Sequence, residues 1–266
     1  MMYRVPLLPE YPRPLIFAHR GCSSVAPENT MEAFRLAQEV GAPGIELDIH
    51  RCKTGEIVVL HDDTLMRVAG DPRPIEEVSR EELRHIDVGS WKDPSFSHSR
   101  VPLLEEVLEE FLPTLYIDIE IKSRSSRDHS LAEALAQLLK RFGPRAQGAV
   151  TVSSFNPLAL RAFKRWAPSF PTAIIWCNDP ELPFYLRRGE GRWLSGCDYL
   201  KPRYDMVHRA FLFFRQTLGR RPVVPWTVDD PAKARGLVTL GCAGIITNRP
   251  QDMVPALQNP GSASHE

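Results

Sequence analysis

His19-Arg20-Gly21, Pro27-Glu28-Asn29-Thr30, Glu46-Leu47-Asp48 and His61-Asp62 all fall between Phe17 and Asp62. Two histidines, an arginine and a pair of carboxylates in one short span are the parts for metal-assisted chemistry on a phosphate ester. Glu46 and Asp48 are two apart in the apolar run Gly44 to Ile49, and side chains i and i+2 of a strand share a face. Both can therefore reach one hard cation such as Mg2+ or Ca2+. The run Leu115 to Lys122 repeats the device, with Asp118, Glu120 and Lys122 on one face and isoleucines on the other. A surface strand would leave those charges in water. A strand of a closed parallel barrel has no solvent face, so converging charges there need a metal or an anion as partner. Spacing alone leaves Asp118 and Glu120 as alternative ligands.

These residues need elements to position them. Short apolar runs alternate with helical patterns along nearly the whole chain, the signature of a parallel sheet wrapped by helices. The extended pieces are Leu15 to Ala18, Gly44 to Ile49, Leu115 to Lys122, Val150 to Ser154, Thr172 to Cys177, Tyr199 to Pro202, Val223 to Val228 and Gly244 to Thr247. They make eight strand-helix units, whose natural closure is an α/β (β/α)8 TIM barrel. Ile57 to Leu60 is a further extended piece ending at His61. The first helix is expected to start near Asn29, with Glu32 completing a capping-box-like pattern and Ala33, Phe34, Ala37 and Val40 as its buried stripe. Further helices are expected over Leu103 to Phe111, around Leu182 to Arg187 and over Met206 to Leu218. Residues 62–101 break the alternation and read as a small insertion over the barrel mouth, within one catalytic domain spanning 1–266. His19, Glu46, Asp48, His61, Glu120, Lys122 and Trp226 all fall at or near C-terminal strand ends, where such barrels carry their active sites.

Composition narrows the classes. The 266 residues suit one barrel of roughly 250. Lys+Arg and Asp+Glu are equal at 33 each, so there is no electrostatic footprint for nucleic acid. Five cysteines, odd in number and without a C-x-x-C pair, argue against a disulfide framework and a zinc site and suit a reducing, cytoplasmic setting. Met1 to Pro14 has four prolines and no apolar signal core, and no run of 18 apolar residues occurs, so neither a secretory leader nor a transmembrane segment is expected.

The chain resembles the glycerophosphodiester phosphodiesterase family. The motifs above, with Leu65 and Arg67 after His61-Asp62, Ile119-Glu120-Ile121-Lys122, Trp226-Thr227-Val228 and Gly244-Ile245-Ile246-Thr247, follow that family's order from about Ile16 to Pro250. The resemblance implies hydrolysis of a glycerophosphodiester to glycerol 3-phosphate and an alcohol, an activity of lipid and glycerol metabolism. It implies His19 and His61 as the acid-base pair; Glu46, Asp48 and Glu120 as ligands of a divalent cation, Mg2+ or Ca2+; Arg20 and Lys122 as phosphate contacts; and Trp226 as an aromatic lining the substrate pocket. The insertion resembles the family's small extra domain. One departure is Asn248, where the family often has an acidic residue, which leaves that position's polar contact open and the metal set intact.

Each assignment has a plainer competitor. His19 and His61 could be hydrogen-bonded histidines inside a fold, but two at strand ends beside a carboxylate set point to catalysis, with His19 read as base and His61 as acid. Arg20 could be an ion-pair partner of Glu46 or Asp48, although a planar fork beside His19 suits two phosphate oxygens better. Lys122 could be a rim charge in water, and Trp226 taken alone would be core. Asp62 is expected as a hydrogen-bond partner of His61, and Cys22 as a bystander. The stripe Val207, Phe211, Phe214, Leu218 accounts for one buried helix face. Leu212 and Phe213 fall partly outside it; packing on a neighbouring helix is favoured over a lipid-contact patch or a homo-oligomer interface. Two other functions remain: a lysophospholipase D whose acyl groove would use Leu212, Phe213 and the insertion, and a catalytically inactive phosphate-binding barrel.

Overall fold

The computed structural model describes residues 14–123, 127–180, 182–218 and 221–258. The proline-rich start, 1–13, on which the reading of an absent leader rests, lies outside them.

Among the described residues eight strands are regular: β1 (Leu15–His19), β2 (Gly44–Arg51), β3 (Ile57–Val59), β4 (Tyr116–Ile121), β5 (Val150–Ser154), β6 (Thr172–Trp176), β7 (Tyr199–Pro202) and β8 (Gly244–Thr247). All but β3 are parallel in the order β7-β6-β5-β4-β2-β1-β8, while β3 folds back antiparallel on β2. The gap between β7 and β8 is closed by the segment 222–228. Leu200 N–H donates to Pro222 O and Val224 N–H to Leu200 O on one side; Ala243 N–H donates to Val223 O and Ile246 N–H to Pro225 O on the other. Pro222 and Pro225 have no N–H to offer, so this eighth barrel position is held by isolated bridges rather than a continuous ladder. The sheet is thus a (β/α)8 barrel, as the alternation implies.

Within the barrel strands the two side-chain sets separate by parity. Ile45, Leu47 and Ile49 of β2 and Ile117, Ile119 and Ile121 of β4 point outward into the main core, which the surrounding helices cover. Their alternates point inward, and register aligns them: Glu46 lies beside Asp118 and Asp48 beside Glu120. The bottom of the interior is a smaller apolar cluster of Leu15, Phe17, Ala173, Tyr199, Val224 and Ile246. Gly44 is required there, since a Cβ would come within 2.9 Å of the Phe17 ring and of Tyr116 O. Polar groups therefore occupy only the upper layers of a filled barrel.

Several boundaries differ from the sequence reading, each for a local reason. The first helix is Met31–Glu39 with Thr30, not Asn29, as N-cap: Thr30 Oγ1 accepts from Ala33 N–H, while the Asn29 side chain turns toward Asp48. In place of one helix around Leu182 to Arg187 there is a 3-10 turn, Phe184–Leu186, and a helix Gly191–Ser195, separated at Gly189, whose φ is +81°. The helix expected from Met206 begins at Arg209, where His208 Nδ1 accepts from Phe211 N–H. On it Leu212 is buried in the main core and Phe213 is exposed, so the two do not form one patch; the side chains of Phe214 and Leu218 lie outside the described residues.

Residues 62–101 hold the short helices Met66–Ala69 and Arg80–Leu83, the latter with a capping box between Ser79 and Glu82. Their apolar side chains, Leu65, Val68, Ile75, Val78, Leu83, Val88 and Val101, share a second core with Cys52, Val58, Leu60 and Leu103. Among the described residues no helix is long and apolar enough to cross a membrane.

Candidate active site

β1 ends in a sharp turn. Arg20 (φ +56°) and Gly21 (φ +82°) are both left-handed, and Arg20 N–H donates to Glu46 O while Gly21 N–H donates to Ala18 O. A Cβ on Gly21 would meet Ala33 backbone at 2.6 Å, so only glycine fits. Asn29 (φ +57°) closes the loop through its N–H to Arg20 O. Strained non-glycine residues of this kind persist where surrounding structure over-determines them, and here the turn aims His19 and Arg20 into the barrel mouth.

A cleft of about 120 Å3 opens at that mouth. His19, Arg20, Glu46, His61, Glu120 and Lys122 form its polar wall, with Lys201 behind them; Phe155, Ile175, Trp226 and Ile246 form its apolar wall. Trp226 is fixed by Nε1–H donating to Lys201 O at 2.9 Å and by an edge-to-face contact with Phe155. Asp48 sits just beneath, almost fully buried.

Glu46, Asp48 and Glu120 each offer an oxygen within 4.8 Å of the others. Burial raises the Glu46 carboxyl well above the usual carboxylate range, and the neighbouring Asp48 charge adds to it, with Lys201 partly offsetting. Asp48 goes the other way: burial would raise it, but Lys122 and Arg20 hold it well below its ordinary value. Lys122 Nζ is 2.9 Å from Asp48 Oδ1 and 2.7 Å from Glu120 Oε1, and Arg20 Nε is 3.2 Å from Asp48 Oδ2. Three carboxylate oxygens this close, one of them on a carboxyl that is costly to ionise unaided, fit a hard divalent cation. Asp118 is excluded from this set because Lys201 Nζ lies 2.8 Å from its Oδ2, and Ser153 Oγ donates to its Oδ1.

Each histidine is oriented through Nδ1. His19 Nδ1 is 2.6 Å from Asn248 Oδ1, and Asn248 Nδ2 donates to Asp229 Oδ2 at 2.7 Å. Asn248 thus makes the polar contact that its departure from the family pattern left open. The Nε2 of His19 is 3.8 Å from Glu46 Oε2. Burial and then the Arg20 charge lower His19 from the usual histidine value to about 4, so the ring is neutral near pH 7. His61 Nδ1 is 2.6 Å from Asp62 Oδ1, the partner expected for it. His50, buried behind, places Nε2 3.2 Å from His61 O.

All eight residues singled out in the sequence meet at one end of the barrel. Missed were Asn29, whose Nδ2–H donates to Asp48; Glu28, which accepts from Arg20; Asp229, behind Asn248; and Lys201, which neutralises Asp118. Glu28 and Asn29 stood within a motif already noted. Lys201 and Asp229 carried no local signal.

Residues 19–252 match the model of the glycerophosphoryl diester phosphodiesterase family. The chain is 31% identical to a glycerophosphodiester phosphodiesterase of Caldanaerobacter subterraneus subsp. tengcongensis, with 93% of this chain and 99% of that one covered. It is 30% identical to one from Bacillus altitudinis, covering 90% and 96%. Among solved structures it is similar to an Oleispira antarctica phosphodiesterase in complex with the product sn-glycerol-3-phosphate: TM-score 0.80, 25% identity, 91% of this chain and 96% of that chain covered.

Proposed function

The chain belongs to the glycerophosphoryl diester phosphodiesterase family, and from that premise we propose that it hydrolyses glycerophosphodiesters to glycerol 3-phosphate and an alcohol in a divalent-cation-dependent reaction. The observation that carries the reading is the convergence of two histidines, Arg20 and Lys122 on one cleft, at a cluster of three buried carboxylates.

Glu46, Asp48 and Glu120 would hold Mg2+ or Ca2+; when bound, the ion supplies charge neutralisation at a non-bridging phosphate oxygen. Arg20 and Lys122 grip the remaining phosphate oxygens, Arg20 with its guanidinium set by Glu28 and Asp48. His19, neutral in the fold, removes a proton at Nε2 from the water that attacks phosphorus, and its Nδ1–H stays on Asn248. His61 gives a proton to the leaving alkoxide, its Nδ1–H held by Asp62. Trp226 and Phe155 flank the glycerol end and exclude water from that side of the cleft. General acid-base catalysis contributes roughly 10^2 to 10^4, so the electrostatic groups carry a large share of the barrier reduction.

A cleft of about 120 Å3 suits a glycerol-sized group. The acyl-groove alternative loses a wall because Leu212 is buried in the main core. The inactive-barrel alternative is weakened by the presence of both histidines and all three carboxylates in or just beneath one cleft. Residues 62–101 are read as an insertion on a single barrel domain, and five buried free thiols support a cytoplasmic setting.

The test is release of glycerol 3-phosphate from glycerophosphoethanolamine by the wild-type protein, His19→Ala and His61→Ala. Loss in both variants with a bell-shaped pH profile for the wild type supports the reading. Near-wild-type turnover in either variant would sink it.

A further inference from the structure

Arg67 lies on the short helix Met66–Ala69 of the insertion. All three guanidinium nitrogens are used. Nε–H donates to Asp62 Oδ2 at 2.7 Å; the two terminal nitrogens donate to Glu28 Oε2 at 2.9 Å and Glu28 Oε1 at 2.7 Å. The Trp91 ring covers the guanidinium with its centroid 5.8 Å from Cζ.

Both acceptors have second duties in the cleft. Asp62 uses its other oxygen, Oδ1, for His61 Nδ1. Glu28 Oε1 also accepts from Arg20 at 2.9 Å. The contacts therefore run without a break from His61 through Asp62, Arg67 and Glu28 to Arg20, and on to Asp48. Asp62 with both oxygens committed cannot rotate away from the imidazole, and Glu28 gripped bidentately cannot follow Arg20 out of the cleft.

We propose that Arg67 is a positioning residue for the phosphodiesterase reaction, one guanidinium that sets the orientation of His61 through Asp62 and of Arg20 through Glu28. The inference rests on the catalytic reading above. It gives the insertion a role: without this side chain the proton donor and the phosphate clamp are each correctly placed in sequence but independently mobile. Lysine is not a substitute, because a point charge cannot span three acceptors arranged as a fork and a side contact. The guanidinium is 40% exposed in its side chain, and ion pairs that exposed contribute little to stability. Loss of Arg67 should therefore be read in the reaction and not in the melting temperature.

The experiment compares Arg67→Met, Arg67→Lys, Arg67→Ala and wild type. Arg67→Met should lower kcat by about 10- to 100-fold and raise KM, at nearly unchanged Tm. Arg67→Lys should recover only a small part of the loss, and added ethylguanidinium should restore turnover to Arg67→Ala. Adding Asp62→Asn to Arg67→Met should cost far less than Asp62→Asn costs alone, since both changes break one chain of contacts. In parallel, NMR of the metal-free protein should show a protected His61 Nδ1–H in wild type that broadens or disappears in Arg67→Met. Variants with kcat and KM within twofold of wild type, full activity in Arg67→Lys, or an unchanged His61 signal would overturn the proposal. A wild-type protein that hydrolyses no glycerophosphodiester would instead overturn the catalytic reading, and the His61 signal would still decide whether Arg67 holds the ring.

Discussion

His19 and His61 face one cleft but are built into it differently. His19 stands at the end of a barrel strand, 16% exposed, with a neutral amide at its Nδ1 and the Asp229 carboxylate one residue removed behind it. His61 follows β3, is 32% exposed, and has a carboxylate directly at its Nδ1 and the insertion's Arg67 behind that. The proposed base and the proposed acid thus differ in what stands at Nδ1 and how open the ring is. Burial and the nearby Arg20 charge lower His19, which suits the proposed base, whereas the Asp62 carboxylate at Nδ1 orients the more open ring of His61, the proposed acid.

The largest expected effect is the simplest way to break this comparison. His19→Ala and His61→Ala should each lower kcat by about 10^2- to 10^4-fold in steady-state glycerol 3-phosphate release. Restoring activity to His61→Ala with a substrate whose leaving group needs no proton, such as a nitrophenyl ester, while His19→Ala stays inactive on it, would assign acid and base. The reverse pattern would invert the assignment.

Removing the orienting partners should cost less. Asp62→Asn leaves His61 with a partner of the wrong charge and should lower kcat about 10- to 100-fold, measured on the same substrate. Asn248→Asp sharpens the contrast from the other side. A carboxylate beside His19 favours the imidazolium, so its pKa moves up from about 4, the base is lost at a higher pH, and the acid limb of kcat/KM shifts toward neutrality. An acid limb in the same place as wild type would show that Asn248 does not set the charge of His19.

Away from both histidines, activity should follow folding alone. Leu212→Ala, at a buried position, should destabilise by about 2–5 kcal/mol, and Phe213→Ala, at an exposed one, by no more than about 0.5 kcal/mol. Chemical denaturation of the two variants checks this, with kcat of the folded protein unchanged in each.

The sequence carried the parts of the site that depend on short spacing. Glu46 and Asp48 read as one face because the strand period is two, and the same period placed Glu120 with Lys122. It could not separate Asp118 from Glu120, because what separates them is the pairing of Asp118 with Lys201, on a strand three positions round the barrel. Asn248 and Asp229 were invisible as supports of His19 for the same reason: closure of the barrel brings β8 beside β1, and no local pattern announces which side chain will meet which. The barrel was legible from its alternation, while its eighth position was legible as an extended piece and not as the proline-interrupted bridge it is. Helix starts slipped where a polar residue had two uses. Asn29 looks like a cap in sequence but serves Asp48, and Thr30 caps instead.

The most direct test of the account is glycerol 3-phosphate release from glycerophosphoethanolamine by metal-stripped protein, with Mg2+ or Ca2+ added back to wild type and to Glu120→Gln. Activity that is absent without metal, returns with one of the two ions in wild type and needs much more of that ion in Glu120→Gln is the expected result. Release that persists after stripping, or that responds to metal identically in both proteins, would contradict the assignment of Glu46, Asp48 and Glu120 as the ligands on which the reaction depends.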